Sequence, residues 1–596
     1  MSYQAPVKDL LFNIEHLANI EAVAQLPGFE DAGLETAQAV LQECAKFNQD
    51  VVAPLNVAGD THPSSFKDGQ VTTTPGFKDA FKQYAAGGWQ GLQHDADYGG
   101  QGLPKTIGAA CQEMLNSANL SFALCPLLTD GAIEALVTAG SDTLKATYLE
   151  KLISGEWTGT MNLTEPQAGS DLALVRSRAE PQPDGSYKVF GTKIFITYGE
   201  HDMAENIIHL VLARVQGAPE GVKGISLFVV PKFLVNADGS LGERNDAHCV
   251  SIEHKLGIKA SPTAVLQFGD NGGAIGYLVG EENRGLEYMF IMMNAARYAV
   301  GLQGIAVSER SYQQAVAYAR ERVQSRPVDG SVKGSATIIH HPDVRRMLMT
   351  MRALIEGTRA TAMTAAAAYD AAHKHPDAQV RQDNQAFYEF MVPLVKGYST
   401  EISQEVTALG VQVHGGMGFI EETGSAQHYR DCKILTIYEG TTAIQANDLV
   451  GRKTGRDGGV AAKSIAAQIE KTEGELQALG TAAAQAVARE LAAARQAFVD
   501  VVEFMVANGR ESPNAAFAGS VPYLMLAGNL VAGWNLGRAL LVADKQLANG
   551  QDKAFYQAKI ITAQFYAEHI LPRTAALRSA ILNGGESVMA LDMDDF

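Results

Sequence analysis

The chain has 596 residues, of which 46% are hydrophobic and 19% charged, a balance that excludes an intrinsically disordered protein and indicates three to four folded domains. Its formal net charge of −18 argues against a nucleic-acid partner, because neutralising phosphates needs clustered Lys and Arg. Five scattered cysteines without a C-x-x-C pair indicate reduced thiols and argue against disulfides and a zinc site; no metal site is predicted.

Residues 1–155 are predicted to form an α-helical domain. The opening segment, MSYQAPVKDLLFNIEHL, has no basic region followed by an apolar core, so we expect no signal peptide and a cytoplasmic location. Apolar residues recur at three- and four-residue spacing, as in Leu34–Phe47, which is typical of amphipathic helices. The turn-rich DYGGQGLP at Asp97–Pro104 separates two helical stretches.

Residues 156–285 are predicted to form an antiparallel β domain. Short runs of β-branched and aromatic residues, each bounded by Gly, Pro, Asn or Asp, occur at Gly185–Thr197, Asn206–Val215, Gly224–Pro231 and Thr263–Asp270. No long helical stretch lies between these runs, which argues against a β-α-β nucleotide fold. HGGMG at His414–Gly418 is glycine-rich, but no strand precedes it, so it does not meet the dinucleotide fingerprint.

Helical patterns return at Arg284–Val323 and predict a helical bundle over residues 286–452. After a predicted linker at Gly451–Val460, an Ala-rich stretch predicts an extra helical domain over residues 453–596. The fold class expected is therefore α+β and multidomain: a helical domain, a β domain, a helical bundle and extra C-terminal helices.

One nearly uncharged segment, Ala515–Gly537, is about long enough to cross a bilayer. It is interrupted by Pro522 and Asn529, and Gly528 and Ala532 lie four residues apart, a spacing that lets helices approach closely inside a bundle. A buried helix is therefore favoured, and no integral membrane segment is expected.

Two motifs at the β domain combine turns, aromatic residues and hydroxyls. Within Met161–Ala179, T-E-P followed by A-G-S-D places a tight turn, exposed backbone N–H groups and a hydroxyl together, although an ordinary polar hairpin loop explains the same pattern. Within Gly191–Ala204, the alternation of Phe195, Ile196 and Thr197 offers an aromatic face beside a hydroxyl. A core strand explains that alternation equally well.

A third motif is arginine-rich: Tyr318–Pro327 carries Arg320, Arg322 and Arg326 where a long helix ends. Cations are common at helix C-termini because they interact favourably with the helix dipole. A group of arginines can also bind a diphosphate. On the residues alone both explanations stay open.

The window Leu409–Lys453 is the hardest to explain structurally, because it contains paired glycines, an Arg-Asp pair and an apolar run that ends in Y-E-G-T-T. A carboxylate buried beside apolar residues has a raised pKa unless it is paired, which is how a general base is brought near the working pH. Glu439 is therefore a candidate base. The alternative is a structural Glu439 that forms a salt bridge with Arg430.

These four segments, in this order and at these separations, resemble the acyl-CoA dehydrogenase family of flavoproteins over about residues 30–452. T-E-P-x-A-G-S-D and R-D-x-K-I-x-x-I-Y-E-G-T carry most of the resemblance. The chain length, GIKASPTA at Gly257–Ala264 and the extra C-terminal portion resemble a longer bacterial branch that includes 3-methylmercaptopropionyl-CoA dehydrogenases.

The resemblance implies FAD as the cofactor, bound between the β domain and the helical bundle, with Thr164 at the polar edge of the flavin ring and Phe195 beside N5. The positions that match FAD contacts are Met161, Leu163, Thr164, Gly169, Ser170, Phe195, Ile196, Thr197, Arg322, Gln324, Gln412, Gly415, Gly416 and Thr441. The positions that match acyl-CoA contacts are Ser170, Asn294, Arg297 and Gly440. Some diphosphate contacts in the family reach the flavin of a neighbouring subunit, which implies at least a dimer.

The resemblance also implies that Glu439 is the catalytic base, with its backbone N–H and a flavin ribityl hydroxyl holding the thioester carbonyl. Some family members carry the base just before the arginine that here is Arg297; that residue is Ala296, which cannot act as a base. One position departs from the family, since a frequent Gln is Ala443 here. Its flavin contact is then either missing or moved to Gln445.

The function implied is dehydrogenation of a fatty acyl-CoA to a trans-2-enoyl-CoA in β-oxidation, with electrons passed to electron-transferring flavoprotein. Alternatives are a 3-methylmercaptopropionyl-CoA dehydrogenase, an acyl-CoA oxidase and a flavin-bearing DNA-binding relative. The last needs a basic C-terminal domain, whereas residues 451–596 hold 14 Lys and Arg against 15 Asp and Glu. We expect the C-terminal portion to pack on the core and replace a contact of tetrameric relatives, leaving a homodimer.

Overall fold

The computed structural model describes residues 3–596; Met1 and Ser2, which open the segment without signal-peptide character, lie outside it. The N-terminal region is helical: α1 (Val7–Phe12), α2 (Ile20–Val23), α3 (Leu34–Phe47), α4 (Leu55–Thr61), α5 (Phe77–Ala86), α6 (Lys105–Ala118), α7 (Leu120–Ala139) and α8 (Asp142–Ile153). A hairpin, β1 (Ser65–Lys67) and β2 (Gln70–Thr72), interrupts it and was not predicted.

Helix α7 has the length and apolar composition that a bilayer crossing requires, but 83% of its most apolar window is buried inside the protein. The Asn119 side chain accepts a hydrogen bond from the backbone N–H of Phe122 and caps the helix. A capped, buried helix of this kind is typical of a protein core, and on length and composition it is the one such helix in residues 3–596.

The β domain contains β3 (Thr158–Asn162), β4 (Arg178–Pro181), β5 (Tyr187–Thr197), β6 (Ile207–Val215), β7 (Ser226–Pro231), β8 (Phe233–Val235), β9 (Leu241–Arg244), β10 (Ala247–Ile252), β11 (Thr263–Phe268) and β12 (Ala274–Val279). The main sheet has the order β10-β11-β5-β12-β7-β6-β3, with β4 beside β5 and β6. Most neighbours are antiparallel, as predicted, but β3 and β4 each run parallel to β6. The long connection through residues 163–206 makes the parallel β3–β6 pairing possible.

The helical bundle consists of α9 (Gly285–Glu321), α10 (Pro342–Lys374), α11 (Ala378–Pro393), α12 (Ser399–His414), α13 (Ser425–Cys432) and α14 (Thr442–Asp448). A π-helical turn, Leu394–Tyr398, joins α11 to α12. Helix α9 lies against this turn: a Cβ added at Gly301 would be 2.4 Å from the Val395 carbonyl oxygen. Only glycine allows so close an approach.

The C-terminal region contains α15 (Val460–Leu479), α16 (Ala482–Glu511), α17 (Pro513–Ala518), α18 (Ser520–Ala548), α19 (Lys553–His569), α20 (Arg573–Asn583) and α21 (Gly585–Val588). The apolar segment Ala515–Gly537 forms α17 and the first half of α18, whose residues are mostly buried. A Cβ on Gly528 would be 2.2 Å from the Tyr398 ring, so α18 packs closely on the bundle, as the small-residue spacing predicted.

Ion pairs, buried at Lys559 and partly exposed at Arg573, tie these C-terminal helices to the rest of the chain. Lys559 pairs with Asp9 and, at 2.9 Å, with Glu356. Arg573 forms two hydrogen bonds with Glu405, at 2.8 and 2.9 Å. One hydrophobic cluster runs continuously from the bundle into α15–α20. The C-terminal portion therefore packs on the core, as expected. The boundaries at 155, 285 and 452 stay predictions.

Candidate active site

Glu439 lies in a loop between α13 and α14 and is held in an unusual backbone conformation. Its φ angle is 55° and that of Gly440 is 91°, so two consecutive residues adopt the left-handed region. For a residue with a Cβ this conformation costs roughly 1–2 kcal/mol, and such strain concentrates at functional sites. The loop is fixed on its far side by Thr441, whose hydroxyl caps α14 by accepting the Ile444 N–H.

The electrostatics of Glu439 meet the requirement that the predicted role of general base sets. Burial raises the pKa of Glu439 to about 7, and the positive charges of Lys396 and Arg297 act in the opposite direction. No Lys, Arg or His within residues 3–596 pairs with its carboxylate at 4 Å or less, although the side chain is half-buried. Arg430 pairs instead with Asp60 and Glu421, so the salt-bridge alternative for Glu439 is wrong.

Arg297 and Gln445 lie directly under the loop. Arg297 is 6% exposed, and its Nε has no hydrogen-bond partner in the described residues. A Cβ on Gly440 would be 3.8 Å from this Nε and 2.6 Å from Gln445 Nε2, so a larger residue there would collide with Gln445. Gln445 is 1% exposed and Ala443 is exposed, which leaves Gln445 as the amide next to Glu439.

Tyr438, the residue before the base, is fixed by a chain of side-chain hydrogen bonds. Its hydroxyl donates to Gln303 Oε1 at 2.5 Å, and Gln303 donates to Asn116 Oδ1 at 3.1 Å. These partners come from α9 and α6, far away in sequence. Sequence reasoning missed this chain because nothing local marks Gln303 or Asn116.

Lys396 was also missed. Its Nζ donates to the carbonyl oxygens of Leu435 at 2.9 Å and Gly440 at 2.5 Å, one on each side of Glu439. A signal was present in FMVPLVKGY, where one lysine interrupts an apolar run. Buried lysines are rare unless they are paired, so this pattern indicates that the lysine has a bonding partner.

The predicted flavin-contacting residues of the β domain meet at one rim of the sheet. Thr164 accepts the Ile194 N–H at 2.9 Å through its carbonyl, which brings it beside Phe195. Phe195 has a φ of 59° and is 59% exposed, a large aromatic ring presented to the outside on strained backbone. Within residues 3–596 the hydroxyls of Thr164 and Thr197 make no hydrogen bond. An exposed ring beside free hydroxyls suits a planar ligand with a polar edge.

The other predicted residues of this rim divide into two groups. Gly169 and Ser170 are exposed in the T-E-P loop, and Leu163 is anchored by its carbonyl to Lys193 Nζ at 3.0 Å. Met161 and Ile196 are buried in separate clusters of the β domain. Any contact these two make with a ligand must therefore come mainly from their main chain.

The rim of the β domain and the Glu439 loop belong to one packed unit. Ile258 donates its N–H to Asp431 Oδ1 at 2.6 Å, which joins the β domain to α13. Tyr198, just after the Phe195–Thr197 run, shares a hydrophobic cluster with Leu435, and Tyr438 packs against it. The structure therefore brings the Thr164–Phe195 face and Glu439 to the same region of the molecule.

The predicted diphosphate-binding residues lie elsewhere. Arg322 and Gln324 follow the end of α9, and Gln412, Gly415 and Gly416 lie at the end of α12; all are exposed. The two helix ends adjoin, because the rings of Tyr318 and His414 are 4.5 Å apart. At 1.5 Å per residue, Arg322 lies about 38 Å along α9 from Arg297. A ligand bound beside Glu439 would therefore have to extend along most of α9 to reach Arg322 as well.

Asn294 is exposed and lines a cavity of about 750 Å³ between α6, α7, α9 and α10, together with Leu127 and Ala299. A hydrogen bond of 2.8 Å between His94 and Asp130 contributes a polar wall. Glu439 is not among the lining residues. Asn294 therefore faces this cavity, whereas Arg297, its predicted partner in substrate binding, does not line it.

Comparison with known families covers nearly the whole chain. Sequence models of the N-terminal, middle and C-terminal domains of acyl-CoA dehydrogenases match residues 35–156, 160–271 and 283–453. A further model, acetyl-CoA dehydrogenase C-terminal like, matches residues 462–592.

Similar proteins span the same length. A 3-methylmercaptopropionyl-CoA dehydrogenase of Ruegeria pomeroyi is 56% identical, with 100% of each chain covered. The broad-specificity linear acyl-CoA dehydrogenase FadE5 of Mycobacterium tuberculosis is 36% identical, covering 99% of each. Among solved structures, an acyl-CoA dehydrogenase complexed with FAD from Bacillus anthracis has a TM-score of 0.73 at 21% identity, covering 95% of this chain and 90% of that one. Caenorhabditis elegans ACDH-11 in complex with C11-CoA has a TM-score of 0.74 at 19% identity, covering 98% and 96%. At these identities the two structures support the fold.

Proposed function

Because the chain belongs to the acyl-CoA dehydrogenase family of oxidoreductases, we propose that it converts an acyl-CoA thioester to a trans-2-enoyl-CoA with Glu439 as the base. The observation that carries this proposal is the site of Glu439. It is a half-buried carboxylate with a pKa of about 7, on a strained loop, without an ion-pair partner in the described chain.

In this proposal Glu439 removes the proton from the α-carbon of the thioester. A base works best when its pKa is close to the working pH, and burial supplies that condition. The backbone N–H of Glu439 makes no hydrogen bond within residues 3–596 and is therefore free to donate to the thioester carbonyl oxygen. A positioned donor at such developing charge contributes about 3–4 kcal/mol.

We propose FAD as the cofactor, since the family is FAD-dependent. When bound, FAD supplies the acceptor for the hydride equivalent that leaves the β-carbon. The exposed Phe195 ring and the free hydroxyls of Thr164 and Thr197 suit the apolar face and polar edge of an isoalloxazine. The exposed Gly169 and Ser170 complete this side of the proposed site.

The predicted diphosphate-binding residues at the ends of α9 and α12 support a homodimer. Arg322 and Gln412 lie too far from Arg297 to reach the same flavin, so we assign them to the diphosphate of the partner's flavin. Large apolar side chains lie beside them: Phe419 is 86% exposed and Val328 84% exposed. An interface that covers these residues would remove that exposed apolar surface from water.

For the substrate, the first candidate is 3-methylmercaptopropionyl-CoA, because the relative named for this substrate is 56% identical over the full length. Sequence motifs had placed a fatty acyl-CoA first. An unbranched acyl-CoA is now the second candidate, favoured by FadE5 at 36% identity and by a butyryl-CoA dehydrogenase of Syntrophomonas wolfei at 34%.

Electron-transferring flavoprotein is the proposed electron acceptor, and the cytoplasm of a bacterium is the proposed location; both follow from the family resemblance. An oxidase would instead reduce O₂ rapidly and release peroxide. Measuring peroxide release against reduction of electron-transferring flavoprotein separates the two.

Anaerobic titration of the purified holoenzyme tests the substrate. The thioether acyl-CoA and straight-chain acyl-CoAs from C3 to C16 are added in turn while flavin absorbance is followed. We expect the thioether substrate to bleach the flavin with the highest kcat/KM. A straight-chain substrate that is at least ten times better would make the second candidate the correct one, and no bleaching by any acyl-CoA would contradict the dehydrogenase proposal.

A further inference from the structure

Lys396 lies in the π-helical turn between α11 and α12, and its side chain is completely buried. Single π-helical turns inside helices are rare and often mark functional positions. Here the turn directs Nζ at two carbonyl oxygens of the Glu439 loop, Leu435 at 2.9 Å and Gly440 at 2.5 Å. Glu439 lies between these two anchor points.

The loop needs such an anchor because it is strained. Glu439 and Gly440 are both left-handed, and this conformation persists only where surrounding contacts impose it. The Glu439 carbonyl itself is weakly held, since Gln445 Nε2 lies 3.5 Å away. Hydrogen bonds from an ammonium are roughly twice as strong as neutral ones, so Lys396 is a strong restraint on the loop, in addition to the hydrogen bonds of Tyr438 and Thr441.

A neutral donor could hold two carbonyls without the cost of burying a charge. No carboxylate in residues 3–596 approaches Lys396 Nζ within 4 Å, so the charge is not there to complete an ion pair. The charged groups that act on it are Glu439, Glu401 and Arg297. Burial lowers the pKa of Lys396 to about 7, and of these charges Glu439 opposes that lowering most.

Helix α9 fixes the geometry of the two cations around the loop. Arg297 and Gly301 lie one turn apart on the same face of α9, and Gly301 is the point of close approach to Val395, the neighbour of Lys396. Burial lowers the pKa of Arg297, and the charges of Asp448 and Glu439 oppose that lowering. The charge of the Glu439 carboxylate is thereby subject to two cations that come from different, mutually packed helical segments.

We propose that Lys396 is a positioning residue for the base: it holds the Leu435–Gly440 loop so that Glu439 faces the α-carbon, and its positive charge favours the ionised carboxylate. This inference rests on the proposed function of Glu439. Lys396 acts through the loop, by its bonds to the carbonyl oxygens of Leu435 and Gly440.

The test is the pH profile of kcat/KM for the Lys396→Met holoenzyme. The positive charge of Lys396 lowers the pKa of Glu439, so removing it moves the acidic limb to higher pH by about one unit. We also expect kcat to fall at least about tenfold, because the loop loses its restraint. Lys559→Met, which removes another buried lysine in α19, is the control and should leave the limb in place. A Lys396→Met limb that coincides with the parent limb overturns the proposal.

Lys396→Arg separates charge from position and carries the test if the methionine variant does not fold. It keeps the cation but moves the donor atoms, so we expect a lower kcat with the acidic limb within about 0.3 pH unit of the parent limb, since the charge that sets it remains. An unchanged kcat overturns the positioning role. Glu439→Gln distinguishes failure of the proposed function from failure of this inference. Activity in that variant contradicts the proposed function. Loss of its activity, together with an acidic limb that does not shift in Lys396→Met, contradicts only the inference about Lys396.

Discussion

Glu439 lowers the free energy of unfolding of the protein, and this effect can be measured. Its backbone is strained, and burial disfavours its charge enough to raise the pKa to about 7. Functional residues often reduce the stability of the protein that carries them. At Glu439 the cost depends on pH, which separates it from the cost of packing.

Glu439→Gln should stabilise the holoenzyme more at pH 8 than at pH 5. A carboxyl whose pKa is raised by folding favours the folded state below its unfolded pKa, and this contribution is lost as the pH rises through about 7. The neutral glutamine has no such loss. We expect a difference on the order of 1–3 kcal/mol, reduced by the solvent contact that the half-buried side chain keeps.

Thermal unfolding of both holoenzymes at the two pH values measures this effect. Glu503→Gln, at an exposed position on α16, is the control and should show no difference between the pH values. A Glu439→Gln variant that gains no stability at pH 8 relative to pH 5 would show that burial does not raise the pKa of this carboxyl.

At the residue scale, the sequence predicted those parts of the candidate site whose residues are adjacent in the chain. Glu439, Gly440 and Thr441 lie in one short motif, and the structure places them in one loop. Lys396 could not be placed, because its partners are main-chain carbonyls about 40 residues away and carry no side-chain signal. Every residue carries a main-chain carbonyl, so a sequence does not indicate which carbonyl a side chain will bond.

Among the elements, the order of helices and strands followed from periodicity, but two features did not. The parallel pairing of β3 with β6 depends on tertiary contacts across the sheet, which strand patterns alone do not specify. The hairpin β1–β2 did carry a signal, since Asp68-Gly69 is a strong hairpin turn and both residues have positive φ. That signal was overlooked within a helical region.

The packing of α18 on the bundle makes a prediction about two glycines. Gly528→Ala should destabilise the protein by about 1–3 kcal/mol, because its Cβ would meet the Tyr398 ring at 2.2 Å. Gly474→Ala in α15 is the matched control: no atom lies near its Cβ, so the better helix propensity of Ala should stabilise by about 1 kcal/mol. Chemical denaturation measures both. Equal effects of the two substitutions would contradict the packing of α18 described above.

For the whole molecule, the distance between the two halves of the proposed flavin site predicts the assembly. The protein should have a solution mass of twice its 63.6 kDa chain mass. Phe419→Asp should convert the dimer to monomers and reduce bound flavin, because Phe419 is exposed beside the residues proposed to bind the diphosphate. Met593→Asp, at a residue that is 92% exposed in the C-terminal segment, is the control and should change neither.

Light scattering together with flavin absorbance tests this assembly. A parent mass of four chains would show that the C-terminal helices do not replace the contact of tetrameric relatives. A Phe419→Asp variant that stays dimeric with full flavin content would place the interface elsewhere.

The most direct test of the proposed chemistry is anaerobic mixing of Glu439→Gln with the best acyl-CoA substrate. The variant should bind FAD normally, because the proposed flavin contacts at Thr164 and Phe195 are unchanged. Its flavin should bleach at least about 100-fold more slowly than in the parent, the loss expected when a general base is removed. Bleaching at the parent rate would contradict the assignment of Glu439 as the base.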